Sequence, residues 1–366
     1  MSKQRAIRSA SAAAYTVPTE APSGDGTKLW DKVTLVAVRL GAGGREGLGY
    51  TYADESCAAF LRAHLLPLLE GRDPFEINAL WLAMNDAVRD LGGRAGLSQM
   101  AISAVDTALW DLKARLMEVS LVDLLGPARD AARAYGSGGY VTYSRAQLEA
   151  ECARWMSQGM RGVKMKIGRK PEDDPERMRW VRAAIGPEVE LMIDANGAFN
   201  AKQALAFARG APEMGVTWFE EPVPSDDHAG LSLLRQAIPD AIEIAAGEYG
   251  DRLSYYRRML EDEAVDVLQA DATRCGGYTG FLGVDALCQA RLLPLSAHCG
   301  PALHVHVCCA AKMLRHMEFF DDHAHAERLL FDGVVEPEDG LLRPDRSRPG
   351  NGLTLKSADA ERYRAA

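Results

Sequence analysis

Eight ionisable side chains recur through the later part of this sequence. They are Lys164 and Lys166, Asp194, Glu220, Glu248, Asp271, His298 and Glu318, and from Lys166 onward successive positions lie 20–28 residues apart. Asp194, Glu220 and Glu248 are consecutive in this series, so their carboxylates can converge on one cation. All-oxygen ligation without thiol or imidazole suits Mg²⁺ better than Zn²⁺. Lys164 and Lys166 stand two apart in an apolar run, which on a strand puts both on one face. Crowding two ammonium groups beside a metal predicts a lowered lysine pKa, the condition under which lysine becomes a usable base. Asp271 and His298 fall on the other side of the trio, where the carboxylate would set the histidine tautomer and raise its basicity. A substrate at the metal would then sit between two bases.

That arrangement answers a specific problem, removal of the weakly acidic proton next to a carboxylate. The product enediolate carries a second negative charge, which a divalent cation, Lys164 and a proton donor can stabilise. Glu318 is the expected donor, with its pKa raised by an apolar, carboxylate-rich setting.

The elements that must position these groups are visible in the hydrophobic pattern. GVKMKI (162–167), ELMIDA (190–195), VTWFEEP (216–222), IEIAAGE (242–248), DVLQAD (266–271), LPLSAH (293–298) and LRHMEF (314–319) are short apolar runs, most of them followed by a helix-like segment. Such alternation is the signature of βα units around a parallel sheet. With an earlier run near Arg133–Gly138 they number about eight, enough to close a barrel whose C-terminal mouth would hold all the ionisable side chains. The preceding part reads differently. Lys32–Leu40 is a strand entering a hairpin to Gly47–Tyr52, Val17–Lys28 is a Pro/Gly-rich loop, and Glu55–Leu69 and Ala101–Met117 are amphipathic helices. Gly126-Pro127 marks the expected boundary, giving a first module over residues 1–127, a barrel over 128–332 and a tail over 333–366 that returns to the first module.

Bulk properties exclude other classes. The 366 residues are 47% hydrophobic and 25% charged, the composition of an ordinary globular chain. A net charge of −9 argues against nucleic acid, which needs clustered cations. No run approaches the roughly 20 apolar residues of a membrane helix. Lys3 and Arg5 precede only an Ala/Ser-rich stretch, a poor signal-peptide core. The seven cysteines form no CxxC pair and read as buried free thiols, so the expected compartment is the cytoplasm.

The motifs VKMKIG, DAN (194–196), FEEP (219–222), AGE (246–248), ADATRCGG (270–277), SAH (296–298) and HMEFF (316–320), in this order and spacing, resemble the enolase superfamily and within it the mandelate racemase subgroup. The resemblance spans nearly the whole chain. It implies an α+β capping domain, built from the N-terminal part and the tail, around a modified (β/α)₇β barrel. It also implies Mg²⁺ on Asp194, Glu220 and Glu248, with Glu221 beside them. Lys166 and the His298–Asp271 pair would be the two acid/bases, and Lys164, Asn196 and Glu318 would meet a small-molecule carboxylate. The muconate-lactonising subgroup usually has a lysine where this chain has His298. By the resemblance the expected reaction is dehydration of an aldonic or aldaric acid sugar. Racemisation or epimerisation of a 2-hydroxy acid is the alternative, and a cycloisomerase or dipeptide epimerase on the same fold is the third. The polar stretch TEAPSGDGTKLW offers Thr19 and Lys28 to substrate hydroxyls or a distal carboxylate, and Arg274, three residues past Asp271, is a further candidate for a distal carboxylate. Relatives of this kind assemble as homo-oligomers, which is the expectation here too.

Overall fold

The computed structural model describes residues 5–91, 93 and 95–365, so Lys3 lies outside the described residues. Three antiparallel strands open the chain in the order β1 (Ser9–Gly24), β2 (Leu29–Ala42) and β3 (Arg45–Tyr52). The Pro/Gly-rich stretch from Val17 is therefore not a free loop, because β1 continues through it to Gly24. Pairing with β2 holds to Pro18, skips to Ser23 through an irregularity, and resumes against Trp30. Prolines survive there because β1 is an edge strand, where a missing N–H breaks no ladder. Only the tip turns, and Asp25 Oδ1 accepts hydrogen bonds from the amides of Thr27 and Lys28 at 2.7 and 2.6 Å.

The segment read as one amphipathic helix from Glu55 is three short turns, α-helical over Ser56–Phe60, π over Leu61–Leu65 and 3₁₀ over Leu66–Leu69. Leu61, Leu65 and Leu69 are fully buried, so the apolar stripe is used despite the change of pitch. The long helix Leu97–Leu116 is buried on nearly every side, polar residues such as Ser103 and Asp106 included, and lies between the three-stranded sheet and the next module.

That module is a closed barrel of eight parallel strands. They are β4 (Ala132–Gly138), β5 (Gly162–Lys166), β6 (Glu190–Asp194), β7 (Val216–Glu220), β8 (Glu243–Ala246), β9 (Val267–Ala270), β10 (Leu295–Ala297) and β11 (Leu314–Phe320). Pairing of β11 with β4 closes the ring. The strands are buried on both faces, which is why they read as short apolar runs. The helix after the last strand, Asp321–Leu330, departs from the outer ring and packs against the capping sheet, where Tyr50 donates to Glu327 Oε1 at 2.6 Å.

The cap also clamps the loop after β9. Thr51 donates to the Thr273 carbonyl at 2.8 Å, Ser103 accepts from the Gly276 amide, and Asp106 accepts from the Thr279 hydroxyl at 2.6 Å. The C-terminal segment pairs through Leu341–Leu342 with β4, and Ala365 donates its amide to Ala14 in β1. No helix among the described residues is long and apolar enough to cross a membrane.

Candidate active site

Strand register alone brings the ionisable residues together. Lys166 is the Cα partner of Asp194, and Asp194 that of Glu220, so three consecutive strands end on three charged side chains. Asp271 and His298 follow immediately after β9 and β10, Glu248 follows β8 after one glycine, and Glu318 lies within β11. None of these residues, nor Lys164, is more than 5% exposed. They form one buried polar ring at the C-terminal mouth, where charged groups of this density need partners.

The carboxylates of Asp194, Glu220 and Glu248 offer ligand atoms within 4.8 Å of one another. Their donors are the two lysines. Lys164 Nζ donates to Glu220 Oε1 at 2.5 Å and stands 2.9 Å from Glu318 Oε1, while Lys166 Nζ donates to Asp194 Oδ2 at 2.5 Å. Glu248 Oε2 accepts no hydrogen bond, although His298 Nε2 is 3.2 Å away. Three buried acidic oxygens converging with that much unspent accepting capacity fit a hard divalent cation.

The side chains by themselves set a charge balance different from the one expected beside a metal. Burial alone would drive both lysines down, but the surrounding carboxylates outweigh it. Lys164 is held well above its usual range by Glu220 and Glu318, and Lys166 above its own by Asp194. Burial likewise pushes Glu318 up, yet the ammonium of Lys164 beside it, with His298 and Lys166, holds its carboxyl well below the usual range. With these side chains alone, Glu318 is held as a carboxylate.

On the opposite flank, His298 Nδ1 is 2.8 Å from Asp271 Oδ2. A carboxylate only accepts, so Nδ1 carries the proton and Nε2 presents its lone pair to the mouth. Asp271 is itself held in place by the Thr273 amide at 2.7 Å, and His304 Nε2 lies 3.4 Å from its other oxygen. Despite burial, the hydrogen bond from His298 helps hold Asp271 well below the usual carboxylate range.

The other anticipated contacts divide. Asn196 adopts φ 45°, a left-handed conformation that Asn tolerates, and its amide donates to Asp194 Oδ1 at 2.8 Å. Its buried side-chain oxygen has no hydrogen bond. Arg274 reaches the ring: Nη1 donates to the Glu248 carbonyl at 3.2 Å and stands 3.6 Å from Glu248 Oε1, while Nε is 3.6 Å from Asp271 Oδ2. Thr19 donates its hydroxyl to the Ala21 carbonyl within β1, and Lys28 is exposed. It is Gly26 that meets the barrel mouth. A Cβ there would lie 2.5 Å from the Ala195 carbonyl and 2.7 Å from that of Ile167, so only glycine lets the tip seat beside Lys166 and Asp194.

Three neighbours were not singled out from sequence. Cys299 places Sγ 3.0 Å from His298 Nε2 and donates its amide to Glu318 Oε2 at 2.9 Å. Tyr52 from the cap stacks on His323, with ring centroids 3.4 Å apart. Tyr249, next to Glu248, lies under the Arg274 guanidinium at 4.9 Å. Adjacency to His298 and Glu248 was the available signal for Cys299 and Tyr249. Tyr52 and His323 carried none, because their pairing depends on how the cap docks.

A barrel mouth with three convergent carboxylates, a lysine on one flank and a carboxylate-backed histidine on the other defines a metal-assisted acid/base enzyme. The chain belongs to the enolase superfamily, in the mandelate racemase and muconate lactonizing enzyme family. Residues 11–126 match the mandelate racemase/muconate lactonizing enzyme N-terminal domain, and residues 147–360 match the enolase C-terminal domain-like family. Its fold is similar to that of a mandelate racemase/muconate lactonizing enzyme-like protein from Rubrobacter xylanophilus, at 49% identity and TM-score 0.96, covering 98% of this chain and 100% of that one. A racemase from Streptomyces coelicolor A3(2), solved with bound magnesium, is 29% identical at TM-score 0.92, covering 98% and 100%. L-Talarate/galactarate dehydratase of Salmonella typhimurium is 29% identical over 343 residues, which is 92% of this chain and 83% of that protein.

Proposed function

We propose that this enzyme removes the α-proton of a small carboxylate substrate and eliminates the β-hydroxyl, dehydrating an acid sugar to a 2-keto-3-deoxy acid. The observation that carries the reading is the placement of two bases against opposite ends of the carboxylate trio. Lys166 Nζ lies 2.5 Å from Asp194, and His298 Nε2 lies 3.2 Å from Glu248. Asp194, Glu220 and Glu248 would hold Mg²⁺, the ion bound in the Streptomyces coelicolor racemase. Held there, Mg²⁺ would supply Lewis-acid stabilisation of negative charge on the substrate carboxylate.

The chain's own residues supply the rest. Lys164, fully buried between Glu220 and Glu318, is placed to stabilise charge on the substrate carboxylate. One base accepts the α-proton as the C–H bond breaks and the enediolate forms. For the elimination His298 enters as the imidazolium, with Nε2 also protonated and Asp271 as counter-charge, and gives that proton to the β-hydroxyl, which leaves as water as the C–O bond breaks. The resulting enol tautomerises to the 2-keto acid. The closed ring of buried residues keeps bulk water from the carbanionic intermediate.

A second reading, racemisation of a 2-hydroxy acid, uses the same two bases without a leaving group, and the similarity to the Streptomyces coelicolor racemase favours it. Incubation of acid sugars with the enzyme and Mg²⁺, followed by semicarbazide detection of 2-keto acids, separates the two. Keto acid formation supports dehydration. Exchange of the α-proton in D₂O with inversion and no keto acid would assign racemisation.

A further inference from the structure

The mouth holds a second set of converging donors, of different chemistry from the three carboxylates. His298 Nε2, Cys299 Sγ and a Glu318 carboxylate oxygen lie within 4.8 Å of one another, and all three residues are buried. The thiol stands 3.0 Å from His298 Nε2, and Glu318 Oε2 is 3.8 Å from the same nitrogen. A tetrahedral zinc site, with bonds of about 2.3 Å to sulfur and about 2.1 Å to nitrogen or oxygen, separates its donors by roughly 3.5 Å. The observed distances bracket that value, so small side-chain rotations would complete the geometry.

A further observation points the same way. Glu248 Oε2, in a residue 2% exposed, faces His298 Nε2 at 3.2 Å without accepting a hydrogen bond. It provides a fourth oxygen at the edge of the cluster. The backbone at Cys299 has φ 53°, a conformation that favours glycine, and its N–H is bonded to Glu318. The backbone at this strand end is thus fixed, and the thiol on it stands 3.0 Å from the base.

We propose that His298, Cys299 and Glu318 form an inhibitory site for a thiophilic divalent cation, Zn²⁺ foremost, next to the carboxylate site and meeting it only at Glu248. Mg²⁺ demands hard oxygen ligands and does not compete for thiolate and imidazole, whereas Zn²⁺ takes mixed N, S and O donors readily. Binding displaces the thiol proton and occupies the lone pair of His298 Nε2, so the base on that flank is lost. Metal binding here is tested without substrate, while its inhibitory effect rests on His298 acting as a base in the proposed reaction.

The probe is Co²⁺ titrated into the Mg²⁺-saturated protein and followed by absorbance. A thiolate-to-cobalt charge-transfer band that saturates at one equivalent, and that added Zn²⁺ bleaches, is expected. The band should vanish in Cys299→Ser and need at least about tenfold more Co²⁺ in His298→Asn. Zinc-edge X-ray absorption of the unsubstituted protein, in excess Mg²⁺, gives the same answer without any variant and should show one sulfur among nitrogen or oxygen neighbours. No charge-transfer band, an undiminished band in Cys299→Ser, or a zinc environment without sulfur would each overturn the proposal.

Discussion

Asp271 accepts the Nδ1 proton of His298 at 2.8 Å, and this one bond decides which face of the imidazole is basic. With Nδ1 committed, the lone pair is at Nε2, on the side of Glu248 and the carboxylate trio. Replacing Asp271 by Asn leaves a side chain that can donate as well as accept. The imidazole then has no enforced tautomer, and its protonated form loses its counter-charge. Turnover in Asp271→Asn is expected to fall by about 10²-fold or more, with Mg²⁺ affinity nearly unchanged. Steady-state kinetics beside calorimetric Mg²⁺ binding tests this, and full activity in the variant would remove Asp271 from the mechanism.

Lys166 and His298 stand on opposite flanks, so each should serve one face of the substrate α-carbon. In D₂O, Lys166→Ala and His298→Asn are each expected to lose at least about 10²-fold in turnover. Any residual α-proton exchange should be confined to the face of the surviving base. Proton NMR of recovered substrate reads this directly. If His298→Asn kept full turnover and full exchange, a single-base mechanism would replace the one proposed.

The barrel and its ring were legible because a parallel strand buried on both faces leaves a short apolar run, and its end faces the mouth. VKMKI, LMID and WFE each display that run and its terminal charge in the sequence itself. What sequence did not disclose depends on contacts across the ring. HMEFF surrounds Glu318 with apolar neighbours and so implies a raised pKa, but the deciding partner, Lys164 at 2.9 Å, sits on a different strand. Cys299 reads as one more buried thiol until barrel closure brings Glu318 to its amide. Val17–Lys28 reads as a loop because prolines and glycines usually break strands, and the edge position that exempts them is a property of the sheet.

Metal binding should be measurable as stability. A ligand that binds only the folded protein stabilises it by about 2.7 kcal/mol at a hundredfold excess over Kd. Chelated protein is therefore expected to gain several degrees in Tm on Mg²⁺ addition, and activity should be lost with EDTA and restored by Mg²⁺. In Glu220→Gln the Mg²⁺-induced shift should shrink to near zero, because the trio loses one anionic ligand and Lys164 loses its 2.5 Å partner. Differential scanning fluorimetry with and without Mg²⁺ makes the comparison, and an equal shift in the variant would exclude Glu220 as a ligand.

Stability on the acid side should depend on His306, away from the active site. His306 is buried, its Nε2 donates to the Asn351 carbonyl at 3.0 Å, and Nδ1 has no hydrogen-bond partner. Protonation would place an unanswered N–H and a charge in the interior, and burial accordingly pulls its pKa down from 6.5 to about 4. The folded pKa is depressed, so between pH 6.5 and about 4 the unfolded chain binds the extra proton and the folded chain does not. Folding stability then falls with pH across that window, by about 3 kcal/mol for this group alone. His306→Gln can keep the bond to Asn351 without titrating. Denaturant unfolding of both proteins at pH 7.5 and 4.5 should show the variant gaining on the unsubstituted chain as pH falls, whereas an unchanged difference between them would show that His306 does not contribute to acid unfolding.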